Sequence, residues 1–278
     1  MLRRLPFLIC LALGLPVAGF AQSEDTSLES LVTSAQVRGW EGVGRLDLSG
    51  EGFCTGALIT PQLVLTAAHC VYSADTGAQI PAKKITFRAG LQGGRAVAHR
   101  KAQRIVVDPD YVYSSEDRVS RVANDIALVE LDRPIDSVTA RPFERFHAPR
   151  PGDTVSVVSY AKGRADNPSL QETCHMIGSE RDVLILSCDV NFGASGSPVF
   201  VLSDARPKIA SVVSSMAQLD GESVALGTSL GAPLDQLMNQ LAAQTNPGNR
   251  TIRNTGQHGF GSLNRSRTGA KFVTVTKP

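Results

Sequence analysis

Between residue 37 and about residue 230, apolar positions come in short runs rather than long stripes. Ile105-Val106-Val107, Ile126 to Leu131, Val155 to Val158, Val183 to Leu186, Pro198 to Leu202 and Ile209 to Val213 are examples. Gly, Pro, Asp and Asn separate them. Many short β-like runs in about 200 residues predict a β-sandwich or β-barrels. A break at Arg141 to Gly152, with Pro142, Pro149 and Pro151, predicts a linker between two halves. Near the end, Leu234, Leu237, Met238 and Leu241 follow the i, i+3, i+4, i+7 spacing of a helix face. One helix over 233–243 is expected, with Pro233 in its first turn.

The flanks differ from this body. Residues 1–21 read MLRRLPFLICLALGLPVAGFA. Arg3 and Arg4 precede an apolar stretch, and Gly19 and Ala21 stand at the −3 and −1 positions of a cleavage site, the pattern of a secretory signal. The stretch is short and interrupted by Pro6, Gly14 and Pro16, which disfavours a spanning helix of about 20 apolar residues. Cys10 would leave with the signal. Residues 22–36 are polar and acidic, a short pro-segment or loose arm. Residues 244–278 carry no Asp or Glu and little periodicity, and read as a flexible basic tail with one possible strand at Lys271 to Thr276. No internal repeat is visible.

Charge follows the same division. The 278-residue chain holds 28 Lys and Arg against 26 Asp and Glu. Six of the basic residues lie in the tail and two in the signal, so the body keeps 20 against 26 acidic and is mildly acidic. A body of that sign is a poor phosphate binder, so no nucleic-acid partner is expected.

Four cysteines remain beyond the signal: Cys54, Cys70, Cys174 and Cys188. An exported chain with an even number implies two disulfides, and composition alone allows three connectivities. The local pattern prefers one. Cys54 and Cys70 flank a hairpin signal at Thr60-Pro61-Gln62 symmetrically, and Cys174 and Cys188 flank Gly178 to Asp182 in the same way. Pairs 54–70 and 174–188 each close a loop of about 15 residues, worth ~3 kcal/mol in the chain-entropy reading. No C-x-x-C pair is present, so a zinc site is not expected. His99, His147, His175 and His258 lack metal-ligand spacing.

Three motifs stand in order: Thr66-Ala67-Ala68-His69-Cys70, Asp125-Ile126-Ala127-Leu128, and Gly193-Ala194-Ser195-Gly196-Ser197-Pro198. Each alone has a bland structural reading: a packed histidine, a turn aspartate, a tight glycine loop. Together they supply what nucleophilic acyl transfer needs. A serine hydroxyl attacks only when a base takes its proton. Imidazole can accept that proton near neutrality and return it to a leaving group. A buried carboxylate fixes the imidazole tautomer, and glycines let backbone amides face a developing oxyanion. Asp108, Asp110, Asp117 and Asp132 compete with Asp125, but only Asp125 opens an apolar strand that would bury it.

These motifs resemble the signatures of the chymotrypsin-like serine protease family, in its order His, Asp, Ser. The likeness covers roughly residues 37–243. It implies an all-β fold of two six-stranded antiparallel barrels with a C-terminal helix. It further implies His69 as general base, Asp125 as its orienter and Ser195 as nucleophile. The amides of Gly193 and Ser195 would form the oxyanion hole, and the 54–70 disulfide would fix the hairpin end that presents His69. Ala194 stands where digestive members carry an activating Asp, and no I-V-G-G start is present. The G-S-P ending and Cys188-Asp189 are more similar to the bacterial glutamyl-endopeptidase-like branch, although Ser211 to Ser215 lacks that branch's histidine.

Counting back from Ser195 puts Asp189 where trypsin-like members keep a carboxylate at the floor of the substrate pocket. The other reading is a turn cap facing away. Val213 and Ser214 are the remaining substrate-binding candidates. The expectation is a secreted or periplasmic serine endopeptidase, monomeric and without stable membrane anchor. It would act on peptide or protein substrates and need neither cofactor nor metal. The rival is a non-catalytic secreted binding protein on the same scaffold. An α/β-hydrolase esterase is disfavoured, because its serine elbow needs an alternating α/β pattern absent here.

Overall fold

The computed structural model describes residues 24–203 and 206–245. The expected signal at 1–21 and the possible strand at 271–276 lie outside the described residues. The first half of the chain carries β1 (Glu29–Ser30), β2 (Val43–Asp47), β3 (Phe53–Thr60), β4 (Leu63–Thr66), β5 (Thr86–Ala89), β6 (Ala98–Val107) and β7 (Ala127–Leu131). The second half carries β8 (Thr154–Ala161), β9 (Arg164–Glu180), β10 (Val183–Leu186), β11 (Pro198–Ser203), β12 (Arg206–Leu219) and β13 (Glu222–Ser229). Three α-helices accompany them: α1 (Ser34–Val37), α2 (Arg118–Ala123) and α3 (Ala232–Thr245).

Strands β2-β3-β4-β7-β6-β5 close into a six-stranded antiparallel barrel. Strands β9-β10-β13-β12-β11-β8 form a second ring, closed where β8 pairs back onto β9, and β1 is added outside β9. Closure removes sheet edges that would otherwise offer unpaired backbone groups. The inside–outside alternation follows the pleat: in β5, Phe87 and Ala89 are buried while Thr86 and Arg88 are only half-buried.

One core cluster spans both halves. Phe200 on β11 packs at 5.1 Å from Trp40 and 4.8 Å from Phe143, ring centre to ring centre. Phe143 belongs to the proline-rich break, which is stitched to both barrels: its amide donates to Leu58, and Ile209 donates to the Glu144 carbonyl, each at 2.8 Å. Tyr160 on β8 is fully buried and donates its hydroxyl to the Leu91 carbonyl at 2.9 Å. Removal from water pushes that phenol far above its usual titration range. The two barrels therefore share buried contacts rather than meeting at a wet seam.

The disulfides join Cys54 to Cys70 and Cys174 to Cys188, as hairpin symmetry predicts. Helix α3 extends the expected 233–243 by a residue or two at each end. Leu234, Leu237 and Leu241 are buried against the core, but Met238 is 37% exposed. Arg145 fastens the helix start, reaching the Leu230 carbonyl at 2.9 Å and Asp235 at 2.8 Å.

One expectation needs correcting. The described part of the 22–36 arm is not loose. Thr26 and Leu31 donate backbone hydrogen bonds to Thr173 and Pro168. Leu31 is 3% exposed, and Thr33 and Gln36 form a capping box at α1. One buried leucine and a short strand pairing hold a segment whose polar composition alone reads as unstructured.

Candidate active site

His69 lies on a 3-10 turn, Ala68–Val71, directly after β4. The disulfide of the neighbouring Cys70 ties this turn to the start of β3. Asp125 lies just before β7, the strand that pairs with β4. Adjacent antiparallel strands thus bring two residues 56 positions apart to one end of the barrel. Helix α2 delivers Asp125: Asp117 caps it by accepting from the Ser120 amide at 3.1 Å. Thr228 on β13 then holds the exit, donating to the carbonyls of Val122 at 2.7 Å and Asp125 at 3.2 Å.

The carboxylate of Asp125 is 3% exposed and makes three contacts. Oδ1 accepts the His69 backbone N–H at 2.8 Å. Oδ2 accepts His69 Nδ1–H at 2.7 Å and the Ser214 hydroxyl at 2.5 Å. Two bonds to one residue fix both the position and the plane of the imidazole, and Nδ1 must carry the proton it donates. Nε2 is left as the basic nitrogen. Burial and the Arg121 charge disfavour protonation of the ring, but the Asp125 charge and its hydrogen bond outweigh them and raise the His69 pKa above its usual value.

Ser214 reaches Asp125 through a bulge. Val213 pairs with Gly227 and Ser215 pairs with Leu226, so Ser214 is the extra residue on β12. A bulge re-aims one side chain off the alternating pattern. The Ser214 hydroxyl is committed to the carboxylate, which leaves the backbone of this residue as the part that could meet substrate.

The loop carrying Ser195 is pressed against the first barrel. Gly193 has φ +94° and Gly196 has φ +78°, both left-handed. A Cβ on Gly193 would lie 2.5 Å from the Phe53 ring, and one on Gly196 would overlap Thr66 Oγ1 and the Thr55 carbonyl. Only glycine fits at either position. Gly196 also donates to Val213 at 2.7 Å, which seats the loop on β12.

The amides of this loop divide into two sets. Phe192 donates to Asn191 Oδ1, Ala194 to Asn191 O, Gly196 to Val213 O and Ser197 to Ala194 O. Among the described residues, the amides of Gly193 and Ser195 have no acceptor. In a trans peptide the N–H points opposite to the preceding C=O. The Phe192 carbonyl is held by the Lys162 amide at 2.7 Å and the Ala194 carbonyl by Ser197 at 3.0 Å, so both uncommitted amides have fixed directions.

Asp189 does not sit at the floor of a desolvated pocket. It is exposed, and its amide donates to Gln171 Oε1 at 2.8 Å. Its charge acts on Arg164, whose guanidinium is pushed down by burial and held up in part by Asp189. His175 on β9 pairs with Asp25 of the N-terminal arm at 2.7 Å.

Three sulfur and nitrogen ligand atoms, from Cys54, His69 and Cys70, cluster within 4.8 Å, but both cysteines are consumed in the disulfide and the group does not fit a metal. No helix among the described residues is long and apolar enough to cross a membrane.

Residues 32–225 match the trypsin family over more than half of the chain. The protein belongs to the trypsin family. Among curated proteins it is 29% identical over 160 residues to a glutamyl endopeptidase of Bacillus licheniformis, covering 57% of this chain and 48% of that protein. It is 32% identical over 126 residues to a modular serine protease of Drosophila melanogaster, covering 42% of this chain and 18% of that one. The chain thus spans about half, or less, of the length of these relatives. Among solved structures, a Glu endopeptidase in complex with MPD superposes with TM-score 0.65 at 18% identity, covering 81% of this chain and all of that one. A scabies mite inactivated protease paralogue superposes at 0.59 with 14% identity, covering 73% of this chain and 93% of that one. Sequence and fold similarity therefore run to the glutamyl-endopeptidase-like branch. An inactivated neighbour on the same fold means that side chains, not architecture, must argue activity.

Proposed function

We propose that this protein is an exported serine endopeptidase that cleaves peptide bonds through His69, Asp125 and Ser195. The observation that carries the reading is the doubly bonded Asp125–His69 pair, together with a glycine-held serine loop whose Gly196 abuts Thr66 and Ala67, just ahead of His69 in the chain. Ser195 Oγ attacks the scissile carbonyl as His69 Nε2 takes its proton. Asp125 holds the imidazole plane and stabilises the imidazolium. The amides of Gly193 and Ser195 receive the oxyanion, His69 returns the proton to the leaving amine, and water releases the acyl group by the same steps in reverse. Fixed amides need no reorganisation as charge develops, which is why such a cradle accelerates the step.

The substrate edge is supplied by β12. Its partner β11 ends its pairing at Val212, while β13 continues to Leu219. Val213 is bonded on its other side to Gly196 and Ser197 of the serine loop, so the 214–219 segment is the part available to an extended peptide, by strand addition. The two disulfides and the basic-then-apolar start support an oxidising compartment, secreted or periplasmic.

The test is labelling with a fluorophosphonate alongside peptide cleavage read by mass spectrometry. Wild-type protein should be labelled on Ser195 and should hydrolyse peptides. Ser195→Ala should lose labelling and lower kcat by ~10⁶. Labelling that persists in the variant overturns the assignment, and an inert wild type would favour a binding protein on this scaffold.

A further inference from the structure

Thr55, the residue after Cys54 on β3, is fully buried and faces the nucleophile loop from the opposite barrel. Its three polar groups are all engaged across the seam or within it. Its hydroxyl donates to the Gly193 carbonyl at 3.0 Å, sharing the proton with the Tyr160 carbonyl at 3.3 Å. The same oxygen accepts the Tyr160 amide at 3.0 Å. Its backbone N–H donates to the Ser195 carbonyl at 2.9 Å. Its carbonyl accepts the Thr66 hydroxyl at 2.8 Å, three residues before His69.

The arithmetic of peptide planes gives this contact a role. The amides of Gly193 and Ser195 lie two peptide units apart. The carbonyl between them, that of Gly193, fixes the torsion angles that set one amide relative to the other. Thr55 grips that carbonyl with its side chain and the next-but-one carbonyl with its main chain. Both gripped carbonyls face the first barrel. The Phe53 ring, packed where a Gly193 Cβ would stand, blocks the glycine from turning into that space. Arg45 lies over the Phe53 ring at 5.4 Å and is itself bonded to Asp47 at 2.7 Å.

We infer that Thr55 is a positioning residue whose buried hydroxyl sets the alignment of the two oxyanion-binding amides, and so controls kcat from outside the substrate-contacting shell. The inference rests on the serine endopeptidase reading above. A hydroxyl is required in it, not just a side chain of that shape. The main-chain bond to Ser195 is retained with Val, Ser or Ala at this position, so the side-chain contribution can be isolated.

The experiment compares Thr55→Val, which keeps shape and removes the donor, with Thr55→Ser, which keeps the donor. Readouts are kcat and KM on a peptide amide, and affinity for a peptide boronate against that for the matching product peptide. Removing a whole oxyanion donor costs about 10²–10³ in kcat. Misaligning a pair should cost at least ~10-fold, with KM and product affinity changing by less than about 2-fold. Boronate affinity, which reads the tetrahedral state, should fall with kcat. Thr55→Ser should recover kcat to within about 3-fold of wild type. Should valine prevent folding, Thr55→Ala serves as the donor-free form, with the same expectations.

A donor-free variant whose kcat stays within about 2-fold of wild type overturns the role. So does a loss that serine fails to rescue, or one that falls on KM alone. Wild-type protein that neither hydrolyses peptides nor takes fluorophosphonate would instead remove the endopeptidase reading, and this inference with it.

Discussion

Ser214 and His69 converge on the same oxygen of Asp125, the serine hydroxyl at 2.5 Å and the imidazole Nδ1 at 2.7 Å. Charge on that oxygen is shared between two donors, so each donor tunes the other. Ser214→Ala should leave more of the negative charge to His69 and raise its pKa further. The acid limb of the pH profile of kcat/KM should move to higher pH, with a rate loss of roughly tenfold at neutral pH, in line with ~1.5–3 kcal/mol for a hydrogen bond to a charged group. An acid limb that stays in place, or moves to lower pH, would contradict the shared-oxygen account.

Asp125→Asn tests the opposite sign. The raised pKa of His69 depends on the carboxylate charge, since burial and Arg121 both push the other way. With the charge gone, the remaining influences should carry the pKa below its ordinary value. The acid limb should shift to lower pH while kcat falls by ~10⁴, because the amide can stabilise the wrong tautomer. NMR titration of the His69 ring would read the shift directly.

The raised His69 pKa also bears on stability. A histidine whose folded pKa lies above its unfolded value contributes stability that is fully present below the unfolded pKa, about 6.5. That contribution is lost as pH rises through the folded value. Denaturation midpoints of wild type and Asp125→Asn should therefore approach one another as the pH is raised from 6 toward 9. A gap that widens over this range would contradict the coupling.

The 54–70 disulfide joins the residue before Thr55 to the residue after His69. Replacing both cysteines by serine should destabilise the protein by ~2–5 kcal/mol. Peptide cleavage should decline at lower denaturant concentrations than the fluorescence of Trp40, which reports the core between the barrels. Coincident transitions would mean that the bond acts only on global stability.

Because Asp189 is exposed, its carboxylate is screened by water and cannot anchor a substrate cation as a desolvated one would. Asp189→Ser should change kcat/KM by less than about 3-fold, equally for basic and for small apolar residues at the cleaved position. A selective loss of 10²-fold for Arg and Lys substrates would restore the pocket-floor reading.

The run lengths of apolar residues carried the fold class, and hairpin symmetry carried both disulfides. Local order explains this: each depends on residues within about fifteen positions. The α2 helix leaves no 3.6-residue period in the sequence because it is only six residues long, and its one local signal is the Asp117 cap ahead of Ser120. The added β1 strand and the buried Leu31 could not be read, since the 24–36 segment gains its order only by docking on β9. Ser214's engagement with Asp125 depends on a bulge, and a one-residue register slip leaves no trace in composition. Thr55 was likewise silent: its partners lie 105 and 138 positions away, and a threonine in a strand otherwise reads as a pleat residue.

That distance has a temporal meaning. A hydrogen bond closed over 138 residues forms only after most of the chain has emerged and both barrels have met, because long loops close late and non-local pairings fold slowly. Until then the serine would be present without a cradle, and the histidine without its Ser214-backed carboxylate. A newly made chain would carry every chemical group of the site and yet hold none of them in working alignment until its last strands had docked.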